Sequence, residues 1–337
     1  MKTRLVKSLV FLFFLLAPLY AFEFFLERAD PRRRLPPDGI VDGRWYTWGH
    51  IVEKNSLGFR EREVGPKAEG TFRVMVLGDS LTWGAGLAPE ERYTALLERR
   101  LREAHPDKRI EVLNFGLPGA PTTRERDVLL EYGKAVSPDL VVVGFCVNDP
   151  QPKAENYSPE LDRFEARYGR LLTSAEYRLS QARLHALGAL VRKAALGLAE
   201  KTGAVPATAD ALARAYDDDS PEWREFVAAL RDIKRASDEA GLPAPVFAAL
   251  NQSARVGRDY NHPDEFLSKI LALTRKAEQA ARAEGFVVLD YEKEIPLRMA
   301  DEATGVNELD GHPSARLNQL YAEKLYGVIE ETCLARR

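Results

Sequence analysis

The chain has 337 residues, 45% of them hydrophobic, enough to bury a full α/β core. The formal charge of −3 conceals an asymmetry, since residues 1–35 hold seven Lys/Arg against three acids and the rest holds 41 against 48. That acidic body, with no clustered basic stripe, excludes nucleic acid as a main partner, and no Cys/His spacing suits zinc.

Lys2, Arg4 and Lys7 precede an apolar run, Leu9–Phe22, which Phe24–Leu26 extends beyond Glu23. This is the layout of a signal peptide or signal anchor. Neither Ala17 nor Ala21 has a small residue two positions earlier, so a cleavage site is poor and an uncleaved membrane anchor over residues 1–27 is expected. From Ser8 to Leu26 a helix would measure about 28 Å, close to the hydrocarbon thickness. Residues 28–70, rich in Pro, Gly and charge, are expected to be a linker and lead-in that joins the body near Asn55–Arg60.

Strands and helices then alternate through a domain expected over 71–335. Phe72–Leu77 predicts a strand, and Tyr93, Leu96, Leu97 and Leu101 mark one face of a helix over Pro89–Arg102. Arg109–Phe115 predicts a second strand. Thr122 and Glu125 resemble a capping box that opens a helix reaching about Val136. Asp139–Phe145 is almost uninterruptedly apolar, as in a strand covered on both faces. The rhythm halts in a helical insert at about 150–220, with stretches at Glu176–Lys201 and Ala207–Tyr216. It resumes with a helix at Glu222–Ala240, a strand at Pro245–Leu250, a helix near Glu265–Glu284, a strand at Gly285–Tyr291 and a final helix from Ser314. Five such strands predict a three-layer α/β/α sandwich with a five-stranded, mostly parallel, flavodoxin-like sheet. Cys146 and Cys333 are expected to be buried or incidental thiols.

Working residues in such sheets gather at the carboxyl ends of strands. Four segments fall there: Gly78-Asp79-Ser80-Leu81-Thr82-Trp83-Gly84, Asn114-Phe115-Gly116-Leu117-Pro118-Gly119, Asn148-Asp149, and Asp310-Gly311-His312-Pro313. A serine, a histidine with a nearby acid, a flexible glycine and an amide are the parts of an acyl-transfer site. The hydroxyl needs a base, the base needs an orienting carboxylate, and the oxyanion needs N–H donors.

GDSLTWG, NFGLPG, GFCVND and DGHP, in this order, resemble the four blocks of the SGNH/GDSL hydrolases, over roughly residues 55–335. The lead-in NSLGFR is similar to one seen in bacterial members with an N-terminal anchor. The resemblance implies an esterase, lipase or carbohydrate O-acetyl hydrolase or transferase that needs no metal or other cofactor. It implies Ser80 as nucleophile, His312 as base, and Ser80, Gly119 and Asn148 as the oxyanion hole. The family's acid stands three before the histidine, where this chain has Leu309; Asp310, two before, is the available acid, as in some bacterial polysaccharide-acetylation proteins. Gly116 competes with Gly119, and His262 with His312. His50, His105 and His185 are expected to be solvated, Asp149 to be a turn or cap residue, and Thr82 and Trp83 to pack the wall. Three functions follow: an exported, envelope-facing ester hydrolase acting on a small-molecule or glycan ester, an O-acetyltransferase sharing the same triad, and a silent carbohydrate-binding or assembly protein.

Overall fold

A computed structural model describes residues 2–29, 38–41, 43–152, 158–250, 254–307 and 310–334. The chain divides into two units, one of residues 1–52 with 159–206 and one of residues 53–158 with 207–337.

The smaller unit holds a helix over Lys2–Ala29 and helices over Pro159–Phe164, Arg170–Gln181 and His185–Lys201. Glu23, the acid that interrupts the N-terminal apolar run, is buried and accepts from the Leu187 amide at 3.3 Å. Among the described residues no helix is long and apolar enough to cross a membrane, so the expected anchor finds no support there. The segment read as linker holds a three-stranded antiparallel sheet of Asp38–Val41, Arg44–Thr47 and His50–Ile51. These strands are too short to show a period in the sequence. The stretch read as one helix, Glu176–Lys201, is two, broken at Arg183, whose φ of 59° ends the first.

In the larger unit the strands are β1 (Thr71–Gly78), β2 (Arg109–Gly116), β3 (Leu140–Phe145), β4 (Val246–Ala249) and β5 (Val287–Leu289). All pair in parallel in the order β2-β1-β3-β4-β5. The helices are α1 (Ser80–Trp83), α2 (Tyr93–Ala104), α3 (Thr122–Val136), α4 (Thr208–Ala215), α5 (Pro221–Glu239), α6 (Glu265–Ala283), α7 (Glu294–Met299) and α8 (Ala315–Ile329). Every residue of β1, β3 and β4 is buried, as the continuous apolar runs required. On α8, Leu317, Leu320, Tyr321 and Leu325 bury one stripe, worth about 1.5–3 kcal/mol per large side chain. Ser314 caps that helix by accepting from the Leu317 amide.

The strand order reverses at β1, whose neighbours are β2 and β3, and ligand crevices of such sheets open at that point. There Gly78, Gly116 and Gly144 stand side by side in register. A Cβ at Gly78 would lie 2.0 Å from Thr82 Oγ1, at Gly144 2.3 Å from the same atom, and at Gly116 2.4 Å from the Trp83 nitrogen. The glycine row is the hollow into which the turn after β1 sinks.

Candidate active site

Ser80 is the first residue of the one-turn helix α1, immediately past β1. Asp79 caps the turn, its Oδ1 accepting from the Leu81 amide at 2.8 Å, and the Ser80 hydroxyl lies 3.4 Å from its other oxygen. Thr82 and Trp83 are buried, and Thr82 Oγ1 pairs with the Tyr93 hydroxyl at 2.8 Å, so both pack the wall as expected. This fixes the serine at its base.

His312 comes from the loop before α8, more than 200 residues away in sequence, and its Nε2 lies 2.9 Å from Ser80 Oγ. Its Nδ1 lies 2.5 Å from Asp310 Oδ1, which also accepts from the His312 amide at 3.0 Å. A carboxylate facing Nδ1 requires a proton there, leaving Nε2 as an acceptor toward the serine. The loop is held by Val306 N to His312 O at 2.7 Å and Ser314 N to Thr304 O at 2.7 Å. Leu309, at the spacing usual for the acid, lies outside the described residues. His262 is exposed and ends a short 3-10 turn. His105, expected to be solvated, is half-buried instead, with Nε2 2.5 Å from Glu330.

Gly119 is the third residue of a tight turn, Leu117 to Ala120, closed by Ala120 N to Leu117 O at 3.0 Å. Pro118 second and a third residue at φ 71° match a type II turn, which glycine alone enters without strain. The turn is tied to β1, because the Leu117 amide donates to Gly78 O at 2.9 Å. The rival, Gly116, uses its N–H on Asn114 Oδ1 at 2.9 Å and owes its identity to close packing against α1. Asn148 follows β3, half-buried, and its Oδ1 is a buried atom with no hydrogen-bond partner among the described residues.

Asp149 does more than close a turn. Its Oδ2 accepts from the Cys146 amide at 3.0 Å and faces the Thr122 hydroxyl at 3.4 Å, while its carbonyl accepts from the Thr122 amide at 3.2 Å. It therefore joins the loop that carries Asn148 to the loop that carries Gly119. Thr122 and Glu125 form no capping box: Pro121 is the cap residue, without a side-chain bond, and both candidates are buried. The [ST]-x-x-E pattern does not distinguish an exposed helix start from one facing inward. Both carboxylate oxygens of Glu125 lack a hydrogen-bond partner among the described residues. Burial first, and then the neighbouring Asp79 charge, push the Glu125 carboxyl well above the usual range. Asp149 is raised by burial and by Glu125, and Asp79 is raised by burial. Cys146, beside them, is a buried thiol pushed up by the same burial, and Cys333 is buried too.

A model of the GDSL-like lipase/acylhydrolase family matches residues 76–320, most of the chain. The chain belongs to this family. It is a carboxylic ester hydrolase by that membership. Among solved structures it is similar to an acetyl xylan esterase, AlAXEase, at 15% identity and TM-score 0.42, over 77% of this chain and 100% of that one. It is similar to a lipase/acylhydrolase from Enterococcus faecalis at 15% identity and TM-score 0.43, over 77% and 96%. An acetylxylan esterase from Geobacillus stearothermophilus is similar at 15% identity and TM-score 0.44, over 75% and 92%. No curated protein matches. The five strands of the larger unit's sheet all pair in parallel.

Sequence reading missed the supports of this site. Asn114 is a lone amide in an apolar strand; its Nδ2 donates to Thr82 O and to Thr94 Oγ1. A polar side chain where the pattern demands an apolar one was the available signal. Glu125 and Thr122 carried a misleading signal, and Arg60 sat in a segment read as a lead-in.

Proposed function

We propose that the chain cleaves its ester through a covalent acyl-enzyme on Ser80, with His312 as base and Asp310 as its orienting acid. The single observation that carries this reading is the relay Ser80 Oγ, His312 Nε2, His312 Nδ1, Asp310 Oδ1, with steps of 2.9 and 2.5 Å. As Oγ bonds to the carbonyl carbon, its proton passes to Nε2 and the carbonyl oxygen becomes an oxyanion. The amides of Ser80 and Gly119 and the side chain of Asn148 receive that charge. The C–O bond then breaks, the alcohol leaves with the proton from Nε2, and water repeats the sequence to free the acid. The upward push on the Glu125 and Asp149 carboxyls suits this role, since it disfavours further negative charge beside the loops that carry Gly119 and Asn148.

The proposed substrate is an acyl or acetyl ester on a glycan or small molecule, a reading that rests on the family blocks. Location is read from sequence: the basic start and the apolar run to Leu26 support an exported chain held at the membrane by its N-terminus. Fractionation with N-terminal sequencing tests this, and a soluble mature chain beginning near Phe22 would replace the anchor with a cleaved signal.

A fluorophosphonate probe tests the mechanism. Folded wild-type protein should gain one adduct on Ser80 and hydrolyse nitrophenyl acetate, and Ser80→Ala should lose both. A folded wild type that takes no label would turn the reading toward a silent carbohydrate-binding protein.

A further inference from the structure

The segment Asn55–Glu63 lies outside the stretch matched to the family, which begins at residue 76, yet it reaches the end of the turn that carries Ser80. Asn55 nucleates its fold: Oδ1 accepts from the amides of Leu57 at 3.1 Å and Phe59 at 3.0 Å, and Nδ2 donates to Arg62 O at 3.0 Å. Gly58, at φ 89°, lets the chain reverse. Phe59 is thereby driven into the core, edge-on to Phe115 at 4.7 Å and Tyr132 at 5.5 Å. The next residue, Arg60, can only point inward, and it is 3% exposed.

Among the described residues no carboxylate hydrogen-bonds to its guanidinium. Nη1 donates to Gly84 O at 2.8 Å, with Trp83 O at 3.5 Å, and Nη2 donates to Leu87 O at 2.8 Å. The group lies over the Trp83 ring at 4.8 Å. Gly84 is the C-cap of the turn that begins with Ser80, and its carbonyl also accepts from the Leu87 amide at 3.2 Å, so Arg60 ties the end of that turn to the loop that follows it. The following residue, Glu61, accepts from the Asn114 amide at 3.0 Å, and Asn114 in turn holds Thr82 O and the Gly116 amide. A buried guanidinium hydrogen-bonded only to carbonyls is costly, and burial, then the Arg92 charge, lower its pKa to about 10 against the opposing pull of Glu90. It stays a cation at neutral pH. A sequence needing only stability would fill this place with an apolar side chain.

We infer that the lead-in is a working part of the catalytic unit and that Arg60 is a positioning residue, which sets the orientation of Ser80 by clamping the far end of its turn. The inference rests on the reading of Ser80 as nucleophile. Lysine keeps the charge but, as a single point donor, does not span carbonyls at residues 84 and 87 while covering the indole.

The experiment compares Arg60→Lys with Arg73→Lys in the full chain. Arg73 is equally buried but serves the other end of β1, where it bonds Glu111 and Val136 O. Melting temperature, kcat and KM on nitrophenyl acetate, and the rate of fluorophosphonate adduct formation at Ser80 are measured well below each melting point. Arg73→Lys should melt lower with kcat within about twofold. Arg60→Lys should lose roughly 10- to 100-fold in both kcat and adduct rate with KM within about threefold, the scale expected of a slightly misplaced nucleophile. If Arg60→Lys does not fold, Arg60→Met, which fills the space without charge, is judged by the same rates. A wild-type adduct rate in a folded Arg60 variant, or equal losses in the Arg60 and Arg73 variants, overturns the inference alone. A folded wild type with no adduct on Ser80 overturns the serine mechanism beneath it.

Discussion

One oxygen of Asp310 serves His312 twice, accepting from its backbone amide at 3.0 Å and facing its ring Nδ1 at 2.5 Å. The two-residue spacing makes this possible. A side chain two positions before a residue reaches that residue's amide as in an Asx turn, and the imidazole then folds onto the same oxygen. Asp310 and His312 thus form one local unit, which the loop brings to Ser80 with the histidine Nε2 2.9 Å from its hydroxyl.

Because the amide pins that oxygen, an asparagine here keeps an acceptor at Nδ1 and loses only the charge that stabilises the imidazolium. Asp310→Asn should lower kcat roughly 10- to 100-fold, and Asp310→Ala further, toward the 10³–10⁴ range of acid–base contributions. Steady-state kinetics on nitrophenyl acetate measure both. Asp301 is bonded to Arg258 on the surface. If Asp301→Asn proves the more damaging change, the acid has been misassigned.

Asn148→Ala should reduce kcat by about 10²–10³ and leave KM nearly unchanged, since an oxyanion donor acts in the transition state. Gly116→Ala should act otherwise, through stability, because its Cβ would meet the Trp83 backbone at 2.4 Å. Parallel kinetics and melting curves separate the two; a mere rise in KM for Asn148→Ala would remove it from the oxyanion hole.

Asp149→Ala should leave the Cys146 amide without its side-chain acceptor and break the tie to Thr122. A loss of about 1–3 kcal/mol is expected for a buried donor left unpaired. Since both oxyanion loops are freed, kcat should fall even in the folded fraction. Urea unfolding beside kcat measurement checks this, and unchanged turnover would reduce Asp149 to a purely structural tie.

Glu125 gives a pH signature. Its folded pKa lies above the ordinary 4.5, so between those two values the folded chain binds more protons than the unfolded one. Stability therefore falls as pH rises from about 4.5 toward the folded value, by at most about 1.4 kcal/mol per pH unit for each such group, and Asp149 adds in the same direction. Glu125→Gln removes its share, so its stability should decline less between pH 5 and 8 in urea titrations. An unchanged decline in the variant would mean that Glu125 is ionised in the fold.

The sequence by itself determined the five strands, because runs such as Leu140–Phe145 satisfy only a place buried on both faces. It also marked the groups proposed to react: each lies in a short block at a strand end or before a helix, where local chemistry leaves a signature, as with Pro118-Gly119 in its turn. Tertiary structure decided what those groups stand on. That Thr122 and Glu125 face a buried acid cluster, that Asp149 joins two loops, and that Arg60 holds the turn of Ser80 all depend on contacts between segments 20 or more residues apart. Local propensity carries no term for such partners. A capping box and a buried carboxyl share one spelling, and an arginine in a lead-in gives no sign of the distant carbonyls it will hold.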